Sequence, residues 1–289
     1  MLRCTYIVLI EDNESNIPNL VKSLKQVAGD FRKEFIFVDD GSVDESLRAL
    51  KKAVSDLPRT TIITQEKQGS SISVNKALSL ATGDYIQFVE GAEILHTAST
   101  NILTESCAKF GASIAIGNVS KNESMDKDIK IDAKLIENPL KIVLDNSIPR
   151  LRQVGAAGSL IHRDLLEKID KVDSSIYTHN MSLSLRCAKY GKFVYIDENI
   201  STLIDDSKSD TDNKFASYNN LRSIYNFVKT NPDLFKNSIP ELLKILSQES
   251  TKNGDRIAYS FKSFTSKYLK SHSVDKVLAA YKKEFDRLF

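Results

Sequence analysis

Lys33-Glu34-Phe35-Ile36-Phe37-Val38-Asp39-Asp40-Gly41-Ser42-Val43-Asp44 is a β-branched and aromatic run that stops at two carboxylates and a glycine. A strand buried in a parallel sheet reads as such a run, and ligands of open α/β sheets bind beyond the carboxyl ends of the strands. Asp39 and Asp40 stand where a ligand would. Gly41 supplies a tight turn, Ser42 or Asp44 can cap the next helix, and residues 45–54 carry apolar side chains at helical spacing. For Asp44, capping is the better reading. For Asp39 and Asp40 the plainer alternative to ligand contact is a solvated turn.

The same unit recurs on both sides. Upstream, residues 5–11 read as a strand ending in Glu11-Asp12-Asn13-Glu14, followed by Ile17, Leu20, Val21 and Leu24 at helical spacing. Downstream come a strand at 60–64, a polar glycine-containing loop at 65–71, a helix at 72–80 and a strand at 85–89 that ends in Glu90-Gly91-Ala92-Glu93. This alternation predicts an α/β fold, a mixed and mainly parallel sheet flanked by helices with right-handed crossovers. Further on, the pattern predicts a helix at 97–110 closed by Gly111, a strand at 112–119 and a charged, exposed excursion at 120–132. A small-residue strand at 154–161, helices at 163–169 and 181–189 and a closing strand at 193–196 complete the unit. The polar stretch 205–213 reads as a linker, and everything after it as helix with Tyr218, Tyr225 and Phe227 in its core and the lysines of 262–283 on a solvated face. Two domains are expected, 1–205 and 206–289.

Bulk properties exclude several classes. Forty basic and thirty-eight acidic residues give a formal charge of +2, so no broad field attracts nucleic acid or a membrane, and anion recognition must be local. The opening residues lack the pattern of a secretory signal, and no apolar run is long enough to form a transmembrane segment. Cys4, Cys107 and Cys187 are odd in number and widely spaced, which fits buried thiols in a reducing compartment and a cytoplasmic protein.

The ordered motifs resemble a family 2 glycosyltransferase of the GT-A fold across residues 5 to about 205. Phe37-Val38-Asp39-Asp40-Gly41-Ser42-Val43-Asp44 is close to that family's VDDGS-x-D. Asn13-Glu14, the Gly69 to Asn75 stretch and Ala81-Thr82-Gly83-Asp84-Tyr85-Ile86 fall in register with it. The resemblance implies a nucleoside-diphosphate sugar donor, with a UDP-sugar expected, held by Asp39, Asp40, Asn75 and Glu11. It also implies an acceptor hydroxyl on a glycan, lipid or protein, inversion at the transferred sugar, and a divalent Mn²⁺ or Mg²⁺ ion.

The departures concern catalysis. Where the family carries a DXD-type cluster this chain has Glu90-Gly91-Ala92-Glu93, so Glu90 and Glu93 are the candidate ligands and Ala92 offers none. Leu183-Ser184-Leu185-Arg186 and Gly191 match the family's Leu-x-x-Arg helix and glycine, but His179-Asn180 occupies the place of its Glu-Asp pair. Asparagine cannot take a proton at neutral pH, which leaves His179 as candidate base or as a structural histidine. Val74 stands where arginine is frequent. Three readings follow: an inverting transferase, a catalytically degenerate domain that binds nucleotide, glycan or protein, and a rewired site built from Glu90, Glu93 and His179.

Overall fold

The computed structural model describes residues 1–121, 131–204, 210–251, 268 and 273–288. Most of the excursion at 120–132, the first part of the linker at 205–213 and much of the lysine-rich stretch 262–283 lie outside the described residues. The chain forms two compact units, Met1–Ser207 and Lys208–Phe289.

In the first unit, three strand–helix repeats come first: β1 (Leu2–Ile10), α1 (Ile17–Gln26), β2 (Phe31–Asp40), α2 (Ser46–Ala53), β3 (Thr60–Gln65) and α3 (Ser70–Leu80). β4 (Tyr85–Glu90), β5 (Glu93–Leu95), α4 (Ser99–Phe110) and β6 (Ile114–Lys121) follow. Next are β7 (Ala133–Ile136), α5 (Pro139–Asp145), a 3-10 turn at Pro149–Arg152, β8 (Ser159–His162), α6 (Arg163–Lys168), α7 (Asn180–Tyr190) and β9 (Phe193–Leu203). Apolar spacing explains the helices. In α1, Ile17, Leu20, Val21 and Leu24 are all buried, each burial being worth about 1.5–3 kcal/mol. Gly111 ends α4 with φ of 56°.

The strands form one mixed sheet in the order β3-β2-β1-β4-β8-β6-β9-β5, with β7 paired to β9. β3, β2, β1 and β4 are parallel, so their carboxyl ends share one edge. At that edge Ile10 of β1 lies beside Asp39 on one side, and Leu9 beside Glu90 on the other. β8 is antiparallel to β4 and β6, and β9 returns parallel to β6. The expected α/β sheet is present, its parallel half carrying the acidic strand ends.

Three differences from the sequence reading bear on the site. The small-residue stretch begins as a turn and becomes strand only at Ser159, because Gly155 and Gly158 adopt φ of 87° and 69°. Glu93 opens a short strand, not a charged turn, and pairs opposite Leu203. The closing strand runs to Leu203 and contains register shifts around Asn118 of its partner β6.

The second unit contains α8 (Asp210–Thr230), a 3-10 turn at Pro232–Phe235, α9 (Ile239–Thr251) and α10 (Val274–Leu288). Phe227 is buried edge-on against Phe235, and Tyr225 stacks on the buried Tyr281 at 5.6 Å. No helix among the described residues is long and apolar enough to cross a membrane.

Candidate functional site

The loops after β1 and β2 are laced together by short polar side chains. Asp12, Asn13 and Glu14 donate their backbone N–H groups to Ser42 Oγ (3.1 Å), Ser46 Oγ (2.7 Å) and Asp44 Oδ2 (3.1 Å). Val43 N–H returns a bond to Asp12 Oδ1 at 2.8 Å. Asp44 Oδ1 accepts from Ser46 N–H at 2.9 Å, so this carboxylate closes an Asx-type turn at the entry to α2, whose N-cap is Glu45, while tying down the neighbouring loop. A turn of polar residues becomes a rigid rim.

Asp40 builds the next wall. Its Oδ1 accepts from Gln65 Nε2 (2.6 Å) and Gln68 N–H (3.0 Å), and its Oδ2 from Gly69 N–H (2.8 Å). Asp39 accepts from Ser42 N–H at 3.3 Å, and its Oδ2 has no hydrogen-bond partner among the described residues. Glu11 and Lys67 form an ion pair across the mouth, with both side chains partly exposed. Gly41 and Gly69 have positive φ, and a Cβ on either would strike Lys67 N or the Tyr177 ring within 2.6 Å. Tyr177 lies close enough to Lys67, Glu11 and Asp40 to feel their charges. Asn75 is placed differently. Its amide donates to Val172 C=O (2.8 Å) and accepts from Val172 N–H (3.0 Å), which fastens the segment leading to Tyr177 and His179.

At the end of β4 the carboxylates turn inward. Glu93 has no solvent exposure; its Oε2 accepts from Glu90 N–H (3.1 Å) and its Oε1 from Gly158 N–H (3.1 Å). Burial, with the charge of Glu90 adding to it, pushes the Glu93 carboxyl up to about 7. Glu90 is half-buried, with Oε1 3.5 Å from Ala157 N. Arg150 donates from Nε to Gly117 C=O (3.1 Å) and from Nη2 to Ala157 C=O (2.6 Å), within electrostatic reach of both glutamates.

His179 is only 3% exposed, and both ring nitrogens are engaged. Nε2 lies 2.6 Å from the Gly155 carbonyl oxygen, which can only accept, so Nε2 carries the proton. Nδ1 then accepts from Ser70 Oγ at 2.9 Å. Burial pushes the imidazole down to about 4 against the pull of the Gly155 carbonyl, so it is neutral at physiological pH. Asn180 opens α7 and donates to Gln153 Oε1 at 3.2 Å. Arg186 faces elsewhere, donating to the carbonyls of Ile169 and Asp170 after α6. Glu90 and His179 thus both reach the 155–158 turn, Glu90 at Ala157 N and His179 at the Gly155 carbonyl two residues earlier.

A sequence model of the family described as "Glycosyl transferase family 2" matches residues 5–169. The chain belongs to that family. A curated relative, the cholesterol galactosyltransferase of Borreliella burgdorferi, is 34% identical over 71 residues, covering 25% of this chain and 20% of the relative. Among solved structures, S. aureus TarS 1-349 in complex with UDP-GlcNAc superposes with a TM-score of 0.62 at 13% identity, covering 98% of this chain and 92% of that one. The mannosyltransferase PcManGT from Pyrobaculum calidifontis, in complex with GDP-Man and Mn²⁺, gives 0.57 at 12% identity, covering 98% and 87%. These neighbours place the fold among GT-A glycosyltransferases.

The residues of this family 2 member supply a Mn²⁺ or Mg²⁺ ion with fewer ligands than the expected carboxylate pair. At nucleotide sites such ions are usually held by one or two protein carboxylates together with substrate phosphates and waters. Ala92 supplies none, and Glu93, expected as a ligand, is enclosed with both oxygens spent on backbone N–H groups. Only Glu90 remains at this position, and the described residues contain no group of three or more His, Cys, Asp or Glu side chains able to hold a metal. Sequence reasoning missed Lys67, Tyr177 and Arg150. Lys67 lay in a loop read only as polar, and its place two residues before Gly69 was the available signal. Arg150 sits in a stretch without periodicity, where nothing marked it.

Proposed function

We propose that the chain is an inverting glycosyltransferase acting in glycan or polysaccharide biosynthesis, moving a sugar from a nucleoside-diphosphate sugar to an acceptor hydroxyl on a glycan, lipid or protein. UDP-sugars are the first donors to test. The observation that carries this reading is the rim at the ends of β1, β2 and β3. There Asp39 keeps one oxygen without a hydrogen-bond partner among the described residues, close to the loops that present Glu11, Lys67 and Tyr177. In the transfer, the acceptor oxygen bonds to the anomeric carbon and the bond to the diphosphate oxygen breaks. The electron pair leaves with the nucleotide and the hydroxyl proton passes to a base.

We assign Asp39 to donor contact, Asp40 and Asn75 to positioning the loops that surround it, and His179 and Asn180 to positioning the 153–155 turn. A histidine with both nitrogens engaged and an amide with no proton affinity leave those two positions without a base. That observation favours a second reading, a domain that binds the donor without transferring sugar. Free, buried Cys4, Cys107 and Cys187 support a reducing, cytoplasmic setting. Incubation with a panel of UDP- and GDP-sugars and candidate acceptors separates the two readings. Release of nucleoside diphosphate dependent on acceptor is expected; nucleotide binding without release supports the second, and neither event removes both.

A further inference from the structure

Three charged groups converge on the two consecutive residues Ala157 and Gly158. Arg150 Nη2 takes the Ala157 carbonyl, Glu93 Oε1 takes the Gly158 N–H, and Glu90 Oε1 lies 3.5 Å from the Ala157 N. Gly158 has φ of 69°, and a Cβ there would stand 2.8 Å from Val119 Cγ2 and 3.0 Å from Arg150 Nη2, so the guanidinium is packed tightly against the turn. Nη1 of Arg150 has no hydrogen-bond partner among the described residues, and the residue is partly exposed. The cation is built in, with one edge open.

Its place along the sheet edge fits a diphosphate. Asp39 and Glu90 flank the end of β1 on opposite sides. Two inter-strand spacings, about 10 Å, separate them. A nucleotide whose base and ribose rest near Asp39 would carry its phosphates toward Glu90. There an anion meets Glu90, which repels it, and needs positive charge nearby. A divalent ion would find one accessible carboxylate and a guanidinium that opposes it. An arginine presents fixed N–H donors that match phosphate oxygens in geometry and stay charged at every relevant pH.

We propose that this chain binds the donor diphosphate without a divalent cation, and that Arg150 supplies the positive charge at that position. The inference rests on the donor-binding reading above. Calorimetric titration of the full chain with UDP, in chelator and then in Mn²⁺, tests it. Wild-type affinity is expected to agree within about twofold between the two conditions, and Arg150→Ala to weaken it by about tenfold or more, equivalent to roughly 1.4 kcal/mol. Arg150→Lys, which keeps a charge but loses the planar fork, is expected to fall between them. Tightening of the wild type by about tenfold in Mn²⁺ overturns the inference, a result that does not depend on any variant folding. So does an Arg150→Ala protein with native near-UV circular dichroism and unchanged UDP affinity. If wild type binds neither UDP nor GDP in either condition, the donor-binding reading falls and takes this inference with it. If it binds only with Mn²⁺, the donor-binding reading stands and Arg150 loses its role.

Discussion

The edge of the sheet holds two acidic regions that look alike in sequence and differ in three dimensions. Around Asp39, Asp40 and Asp44, the carboxylates accept backbone N–H groups of neighbouring loops, Asp39 Oδ2 keeps no hydrogen-bond partner among the described residues although the residue is only 5% exposed, and the Glu11–Lys67 pair stands exposed. Around Glu90 and Glu93, the inner carboxylate is fully enclosed and a built-in guanidinium stands beside it. What separates the regions is which donors each carboxylate finds, since Asp39, Asp40 and Glu93 are all buried. A carboxylate at a strand end becomes a ligand contact only when the surrounding loops leave an oxygen over.

The comparison breaks most severely at Asp40, whose oxygens satisfy Gln65, Gln68 and Gly69 together. Asp40→Ala orphans these donors in a nearly buried position and is expected to cost about 3–5 kcal/mol in urea unfolding. Asp39→Ala, which loses one long bond, is expected to cost less than about 1 kcal/mol while weakening UDP binding. Equal stability losses would mean that both aspartates are structural.

Gly155→Ala attacks the second region. The residue has φ of 87°, and its Cβ would lie 2.7 Å from His179 Cδ2 and 2.8 Å from Leu183 Cδ2. Because both nitrogens of His179 are held, the ring cannot step aside, and a loss of about 2–4 kcal/mol is expected. Gly111→Ala has open space around its Cβ and bears only the positive-φ strain, about 1–2 kcal/mol. A Gly155→Ala loss no larger than that of Gly111→Ala would show that the ring gives way.

Burial in the second region also writes an opposing pair of pH dependences. Glu93 is raised from 4.5 to about 7 on folding, so its contribution is complete below pH 4.5 and declines as pH rises to 7, by on the order of 3 kcal/mol. His179 is lowered from 6.5 to about 4, so its contribution is complete above pH 6.5 and declines as pH falls toward 4. Between pH 4.5 and 6.5 the two slopes largely cancel. Relative to wild type, Glu93→Gln should leave stability rising with pH across that window, and His179→Gln should leave it falling. Urea midpoints measured at several pH values read the slopes, and slopes unchanged from wild type in both variants would contradict the burial of both groups.

The first region was legible in the sequence because its elements are periodic and its turn chemistry is local. Apolar runs marked β1, β2 and β4, and the Asx-type turn that Asp44 makes with Ser46 is local, although the N-cap of α2 is Glu45 rather than the expected Asp44. The second region was not legible, because its geometry depends on long-range partners. Nothing local to Glu93 reveals that Gly158 donates to it across 65 residues, nor that His179 bridges Ser70 and Gly155. The positive φ of Gly155 and Gly158 turned an expected strand into the turn that receives these groups. Asn75 shows the same limit, since its placement in a matching motif suggested donor contact, whereas its amide is taken up by Val172.

The smallest stability effect belongs to the Glu11–Lys67 pair, and it sharpens the contrast most. Both side chains are partly exposed, so Lys67→Ala and Glu11→Gln are each expected to change stability by less than about 1 kcal/mol. Ligand affinity should respond instead, and in opposite directions. Lys67 is the cation at the mouth beside Asp40 and Tyr177, so removing it should weaken UDP binding by about three- to tenfold at low salt. Glu11 occupies that cation and adds negative charge where an anion must enter, so Glu11→Gln should tighten binding by a few-fold. Because the pair is exposed, both shifts should shrink at high ionic strength, whereas the loss from Arg150→Ala, at a more enclosed cation, should persist. Titration of UDP at two salt concentrations reads all three, and a salt response shared equally by Lys67 and Arg150 would mean that the two ends of the edge are equally open to solvent.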